Sequence, residues 1–135
     1  MRILIVDDET VYRDRLRSVL ERTGHSVAEA ESGGEALKIV ESEPIDLVIT
    51  DVVMPDVDGF ELVRKLKRDY PDIEAIVLSS SDYSQDEVFL RVARLLGAAG
   101  AFKKSVTGTT LLRVIDTVAP ESPKTAPSRP TNRPT

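Results

Sequence analysis

The feature that most constrains the fold of this chain is a strict alternation of short apolar runs with amphipathic stretches. Each run has the length of a strand and is followed by apolar residues at helical spacing. The runs are residues 2–6, 26–30, 47–51, 75–79 and 99–103. Because no hairpin signals join them, the strands are expected to pair in parallel, with helices on both faces of the sheet. The pattern predicts an α/β fold, a doubly wound (βα)5 unit with one parallel five-stranded sheet.

For five strands of this kind, the expected order in the sheet is the flavodoxin-like order 2-1-3-4-5. This order makes the first and third strands neighbours. Ligands of doubly wound sheets bind at the carboxyl ends of the strands, beside the point where the strand order reverses. Polar residues at the ends of these strands are therefore the first candidates for a functional site.

Capping residues and helix stops support the helical assignments. Residues 32–35, 58–61 and 84–87 all have capping-box spacing. The first helix is expected to end at Gly24, because glycine accepts the left-handed backbone that commonly follows a helix. The fourth helix is expected to bury one side, made of Val88, Val92, Leu95 and Leu96.

Composition narrows the class of protein. The 135 residues suffice for one domain, expected at 1–119, and a flexible tail is expected at 120–135, where five of the eight prolines lie. The net charge of −5 argues against direct nucleic-acid binding by this domain. No apolar run approaches the roughly 20 residues of a membrane span. A cytoplasmic protein without a membrane partner is therefore expected.

Three carboxylates are expected to meet at the carboxyl edge of the sheet. Asp7 and Asp8 follow the first predicted strand, and Asp51 ends the third. Two like charges about 4 Å apart repel by roughly 4 kcal/mol at an effective dielectric of about 20, so such a cluster usually persists around a divalent cation. All-oxygen ligands, without histidine or cysteine, favour Mg²⁺ as that cation.

Two further side chains belong to the same edge. Ser79 ends the fourth predicted strand, and Lys104 follows the fifth. A hydroxyl and an ammonium beside a metal are suited to phosphoryl transfer, because they bind and neutralise phosphoryl oxygens. Asp51 is the expected nucleophile, forming an acyl phosphate. Each residue alone has an ordinary structural explanation, as a solvated strand end, a structural hydroxyl or a surface lysine, but the set together indicates chemistry.

Residues 5–9, 51–59 and 97–104 resemble the receiver domain of bacterial response regulators, including the chemotaxis regulators. The resemblance implies a switch of two-component signalling in which Asp51 is phosphorylated by a sensor histidine kinase or a histidine phosphotransfer protein. It also implies that the chain is not an ordinary enzyme and catalyses only its own phosphorylation and dephosphorylation.

The same resemblance assigns roles to the residues at the edge of the sheet. It implies a Mg²⁺ site formed by Asp7, Asp8, Asp51 and the backbone carbonyl of Val53. It further implies that Ser79 and Lys104 contact the phosphoryl group.

The chain departs from the receiver pattern near its lysine. Ser105 stands where a proline usually follows, so a cis peptide bond is not expected there. The aromatic residue that usually reports the switch falls at Ala101, with Phe102 beside it. We therefore expect that the phosphorylation chemistry is kept, while a switch and output face including Ala101 and Phe102 is specialised for an unknown downstream protein.

Two other functions stay open at this point. A pseudo-receiver would bind partners without ever carrying phosphate, and the altered residue at Ala101 favours it. A Mg²⁺-dependent phosphohydrolase of the haloacid dehalogenase kind also uses an aspartyl phosphate. That class needs an Asp-x-Asp pair on its first catalytic strand, which Asp7 and Asp8 do not supply.

Overall fold

The computed structural model describes residues 1–80 and 87–118, and in these ranges five strands alternate with five helices. The strands are β1 (Arg2–Val6), β2 (Ser26–Ala30), β3 (Leu47–Asp51), β4 (Glu74–Ser79) and β5 (Gly100–Lys103). The helices are α1 (Thr10–Arg22), α2 (Gly33–Ser42), α3 (Gly59–Asp69), α4 (Glu87–Leu95) and α5 (Gly108–Val118). All strand pairs are parallel, in the order β2-β1-β3-β4-β5, which confirms the predicted fold.

The helix ends form as their sequence signals predict. The Ser32 hydroxyl accepts a hydrogen bond from the Glu35 backbone N–H at 3.1 Å, and the Asp58 carboxylate accepts one from the Glu61 N–H at 2.9 Å. Gly24 follows α1 with a φ of +95°. These local bonds satisfy backbone groups that a helix leaves without partners at its ends.

Two predictions fall beyond the part of the chain that the structure describes. They are the start of the cap at 84–87 and the tail at 120–135. Within the described ranges, no helix is both long enough and apolar enough to cross a membrane.

The core has two layers, one on each face of the sheet. On one face, Ile5 and Ile49 pack with Leu16 of α1 and with residues of α5. On the other face, Val48 packs with Leu66 and other residues of α2 and α3, and a further cluster reaches α4. Alternate residues of each strand enter opposite layers, as the pleat requires. Because helices cover both faces, the strand ends are the part of the sheet left for a functional site.

The predicted buried side of α4 was wrong at Val88 and Leu95, whereas Leu96, directly after the helix, does pack against the core. Val88 is 58% exposed and Leu95 is 79% exposed, whereas Ala93 is fully buried and Leu90 packs beside it. The sequence of this helix is apolar at most positions, so its periodicity allows more than one buried side. The strand residues beneath it include two alanines, Ala75 and Ala101, and the helix packs on them through its own Ala93.

Gly59→Ala is expected to destabilise the fold, because α3 begins directly against the end of β3. A Cβ at Gly59 would overlap the carbonyl oxygen of Asp51 and lie 2.8 Å from Val52 Cα. Neither backbone atom can move aside easily, so we expect a loss of about 1–3 kcal/mol in the free energy of unfolding. Urea denaturation followed by circular dichroism measures it.

Gly108→Ala is the matched control for that change. A Cβ at Gly108, the first residue of α5, would meet only Val19 Cγ1, at 3.9 Å. Alanine is the better helix former, so this variant should be as stable as the native chain or slightly more so. Equal denaturation midpoints for Gly59→Ala and Gly108→Ala would contradict the close approach of α3 to β3.

Candidate functional site

The strand register places three of the predicted site residues at one edge of the sheet. Asp51 pairs with Leu78, the residue before Ser79, and Ser79 pairs with Lys103, the residue before Lys104. The backbone N–H of Lys104 donates to the carbonyl oxygen of Ser79 at 2.7 Å. The ends of β3, β4 and β5 are therefore aligned.

Three carboxylates meet at this edge, as the strand order predicts. Asp7 and Asp8 follow β1, which lies next to β3 and its terminal Asp51. Each of the three offers a carboxylate oxygen, and these oxygens all lie within 4.8 Å of one another. Asp7 and Asp51 are buried, whereas Asp8 is exposed. Three oxygen donors at this spacing suit Mg²⁺, which prefers carboxylates and retains water on its open side.

Backbone hydrogen bonds fix the two buried carboxylates. The Oδ1 atom of Asp7 accepts from the Glu9 N–H, and Oδ1 of Asp51 accepts from the Val52 N–H, both at 2.8 Å. In each residue the other oxygen, Oδ2, is turned to Lys104. These contacts hold the carboxylates of Asp7 and Asp51 in place without a ligand.

Lys104 is the cation of the cluster. Its Nζ atom lies 2.9 Å from Asp7 Oδ2, 2.8 Å from Glu9 Oε1 and 3.4 Å from Asp51 Oδ2. Burial alone would lower the pKa of Lys104, but its hydrogen bonds to Glu9 and Asp7 and the charges of Asp7 and Asp51 outweigh burial and raise that pKa. The side chain therefore stays an ammonium, available to a phosphoryl oxygen.

Ser79 contributes a buried hydroxyl at the end of β4. The residue is 1% exposed, and its Oγ atom has no hydrogen-bond partner among the described residues. A buried polar group left without a partner costs about 1–3 kcal/mol. Such groups in native proteins are expected to have a ligand, an ion or a water as partner. Together with the acids and the ammonium, this hydroxyl fits a site for a bound phosphoryl group.

Sequence reasoning missed two residues that hold Lys104. Glu9 lies within the acidic motif after β1 but had no predicted role; it pairs with Lys104, which lowers the pKa of its carboxyl group. Tyr12, on α1, was not among the predicted site residues. Its ring centroid lies 4.8 Å from Lys104 Nζ, and its hydroxyl donates to the Lys104 carbonyl oxygen at 3.4 Å. The position of Glu9 two residues after Asp7 was the signal available in the sequence.

The remaining predicted residues lie around this cluster or away from it. Val53 follows Asp51 by two residues with a side chain that is 54% exposed, and its carbonyl as a metal ligand stays a prediction. Ala101 is buried in the cluster that reaches α4, and its role in a switch and output face stays a prediction. Phe102 is half-buried and packs in the core layer on the opposite face of the sheet, with residues of α1 and α5. The described residues contain no cis peptide bond, as expected at Ser105.

The ionised form of Asp51 is disfavoured in the folded chain. Burial raises the pKa of its carboxyl group, the charge of Asp7 raises it further, and Lys104 only partly opposes both. Because the folded chain favours the protonated form more than the unfolded chain does, ionisation of Asp51 lowers stability. This loss develops as pH rises from the ordinary value of 3.8 through the raised one.

Asp51→Asn is therefore expected to raise the thermal stability of the metal-free protein. Asparagine has nearly the same shape and carries no charge, so its advantage over Asp51 should be small below pH 3.8 and larger at about pH 7. Thermal unfolding in a chelating buffer, followed by circular dichroism at both pH values, measures the difference. An Asn variant that is less stable at neutral pH, or a gap that does not change with pH, would contradict this account.

Known proteins share this fold and much of the sequence. The family profile described as response regulator receiver domain matches residues 3–116. Protein PilH of Pseudomonas aeruginosa is 36% identical over 119 residues, covering 87% of this chain and 96% of PilH. Response regulator MprA of Mycolicibacterium vanbaalenii is 40% identical over 88 residues, covering 65% of this chain but 38% of MprA, so the chain spans well under half of that relative.

A solved structure also aligns over most of the chain. It is the crystal structure of response regulator protein TrrA from Thermotoga maritima in complex with Mg²⁺-BeF. The TM-score is 0.76 at 32% sequence identity, and the alignment covers 87% of this chain and 98% of TrrA.

Proposed function

Because the chain belongs to the response regulator receiver domain family, we propose that it is a phosphorylation-controlled signalling switch in which Asp51 accepts the phosphoryl group. The observation that carries this proposal is the meeting of Asp7, Asp8 and Asp51 with Lys104 at one edge of the sheet. The phosphate donor is a phosphohistidine of a sensor histidine kinase or of a histidine phosphotransfer protein. We assign residues 1–119 to this domain and the cytoplasm as its location.

The donor set fits a divalent cation. Asp7, Asp8 and Asp51, with the backbone carbonyl of Val53, would hold Mg²⁺, since all four donors are oxygens. When bound, Mg²⁺ supplies positive charge that offsets the repulsion among the carboxylates and the charge of the phosphoryl oxygens. The relative TrrA has been crystallised with Mg²⁺-BeF, which supports this choice of metal.

The two oxygens of Asp51 have different roles. Oδ1 accepts the Val52 N–H at 2.8 Å, whereas among the described residues Oδ2 has a single contact, the longer one of 3.4 Å with Lys104. Oδ2 is therefore the nucleophile. Its bond to phosphorus forms as the phosphorus–nitrogen bond of the phosphohistidine breaks, and the electron pair of that bond returns to the imidazole of the donor.

Lys104 and Ser79 receive the transferred group. The Lys104 ammonium donates to one phosphoryl oxygen in place of its long contact with Asp51, while Glu9 and Asp7 keep it close. The Ser79 hydroxyl, which has no partner among the described residues, donates to another. Preorganised donors of this kind stabilise the charge that develops in the transition state.

The signal arises because these donors sit at the ends of β4 and β5. Lys104 and Ser79 are already joined through the backbone at 2.7 Å, so a phosphoryl group that binds both side chains couples the two strand ends. The chain then acts by changing which protein it binds rather than by turnover. The downstream protein is one that prefers the phosphorylated form.

Incubation with acetyl phosphate and Mg²⁺, followed by intact-protein mass spectrometry, tests the proposal. We expect a gain of one phosphoryl group that requires Mg²⁺, disappears with a chelator, and is removed by hydroxylamine, which cleaves acyl phosphates. A folded chain that gains no mass would instead be a phosphorylation-independent interaction module. Turnover of a phosphomonoester over many cycles would indicate a phosphohydrolase.

A further inference from the structure

Arg13 is a buried cation that touches the backbone of the acidic site. It lies on α1, is 7% exposed, and its Nη1 atom donates to the carbonyl oxygen of Asp7 at 2.6 Å. Its Nε atom donates to Glu29 Oε1 on β2 at 2.7 Å. The side chain thus bridges a strand of the sheet and the peptide that joins two predicted metal ligands. Nothing in the phosphoryl-transfer steps described above uses it.

We propose that Arg13 is a positioning residue that holds the Asp7–Asp8 peptide in the orientation required for Mg²⁺ binding. This inference rests on the proposed function, because it assumes that Asp7 and Asp8 bind the metal. Since a peptide unit is planar, fixing the carbonyl of Asp7 also fixes the direction in which the chain enters Asp8.

The other contacts of Asp7 leave its carbonyl as the group that needs an anchor. The strand pairing of β1 ends at Val6, one residue earlier. The Asp7 N–H still donates to Ala30 at 3.1 Å, and its Oδ1 accepts from Glu9. The carbonyl lies beyond the ladder and is bonded by the guanidinium instead. A charge-assisted bond in a buried place is well suited to holding it.

Glu29 orients the guanidinium of Arg13. It accepts from Arg13 Nε and also pairs with Arg17, one turn further along α1. A guanidinium presents its donors in a rigid fork, so the bond of Nε to Glu29 directs Nη1 to the carbonyl. The compact ammonium of a lysine carries all its donors on one nitrogen, so it lacks the fork that places Nε on Glu29 and Nη1 on the carbonyl of Asp7.

Calorimetric titration of the metal-free protein with Mg²⁺ tests the inference. We expect Arg13→Gln to weaken Mg²⁺ binding by about 10- to 100-fold, the usual effect of losing a group that orients a metal ligand. Charge alone gives the opposite sign, because removing a cation near three carboxylates should tighten the binding of another cation. The direction of the change therefore separates positioning from electrostatics.

Arg17→Gln is the matched control. Arg17 pairs with the same Glu29 and with Glu21, but its described contacts do not include Asp7. Its loss should leave Mg²⁺ affinity within about twofold of native, since it orients no ligand. A loss of affinity as large as that of Arg13→Gln would show that the ion pair to Glu29, and not the carbonyl contact, matters, and would overturn the inference.

Arg13→Lys keeps the charge and covers the case in which Arg13→Gln does not fold. We expect Arg13→Lys to bind Mg²⁺ more weakly than the native chain as well. The inference is overturned if a folded Arg13→Lys variant binds Mg²⁺ with native affinity. It is also overturned if a folded Arg13→Gln variant binds Mg²⁺ as tightly as the native chain or more tightly. If the native chain binds Mg²⁺ and takes up phosphate while the Arg13 variants match it, only this inference fails. If the native chain binds no Mg²⁺, the proposed function fails and the inference fails with it.

Discussion

Asp51→Asn should take up no phosphoryl group from acetyl phosphate under conditions in which the native chain is fully converted. The amide of asparagine cannot form an acyl phosphate, and its nearly identical shape should leave the surrounding contacts in place. The expected effect is complete loss of phosphorylation without loss of fold. Intact-protein mass spectrometry and circular dichroism measure the two together.

Asp58→Asn is the control for that variant. Asp58 is an exposed carboxylate in the loop after β3, and it caps α3 by accepting from the Glu61 N–H. Asparagine caps a helix about as well as aspartate, so this variant should be phosphorylated like the native chain. Uptake that persists in Asp51→Asn would show that another residue is the acceptor.

Lys104→Met has the second-largest expected effect. Methionine keeps much of the apolar stem but removes the ammonium that pairs with the carboxylates of both Asp7 and Asp51. Losing one preorganised donor to a developing charge typically costs about 10²- to 10³-fold in rate. We expect a fall of that size in the rate constant for phosphoryl uptake at saturating Mg²⁺, measured by the time course of the mass change.

Lys103→Met separates this effect from a general loss of charge. Lys103 is the exposed neighbour of Lys104 at the end of β5. The variant has the same net charge as Lys104→Met, and its rate should be close to native. If the two variants slowed phosphorylation equally, the specific contacts of Lys104 would not account for its role.

Much of the site could be predicted because one rule governs parallel sheets. Once the apolar runs indicate parallel strands, the carboxyl ends must lie at one edge, and the order 2-1-3-4-5 makes the ends of β1 and β3 neighbours. The meeting of Asp7, Asp8 and Asp51 follows from that order alone. The placement of Ser79 and Lys104 follows from the next two strands.

The residues that support the site could not be predicted in the same way. Arg13 reads in the sequence as one more charged residue on a helix, and its bond to Asp7 depends on the angle at which α1 crosses the sheet. Its partner Glu29 lies on β2, 16 residues further along the chain. Pairings of this kind arise from tertiary geometry, which local periodicity does not contain.

The buried side of α4 shows the limit of periodicity most clearly. A helix that is apolar at most positions offers several possible stripes, and the choice depends on the surface it meets. Here that surface includes Ala75 and Ala101, and Ala93 faces the sheet while Leu95 does not. Ala101 of β5 belongs to the same cluster.

The most direct test of the account is to locate the phosphoryl group on the chain. Borohydride reduces an aspartyl phosphate to homoserine, a permanent mark that tandem mass spectrometry can assign to one residue. After treatment with acetyl phosphate and Mg²⁺, we expect the mark at Asp51, with none when a chelator replaces Mg²⁺. A mark on another residue, or none on a folded and metal-loaded chain, would contradict the assignment of Asp51 as the acceptor.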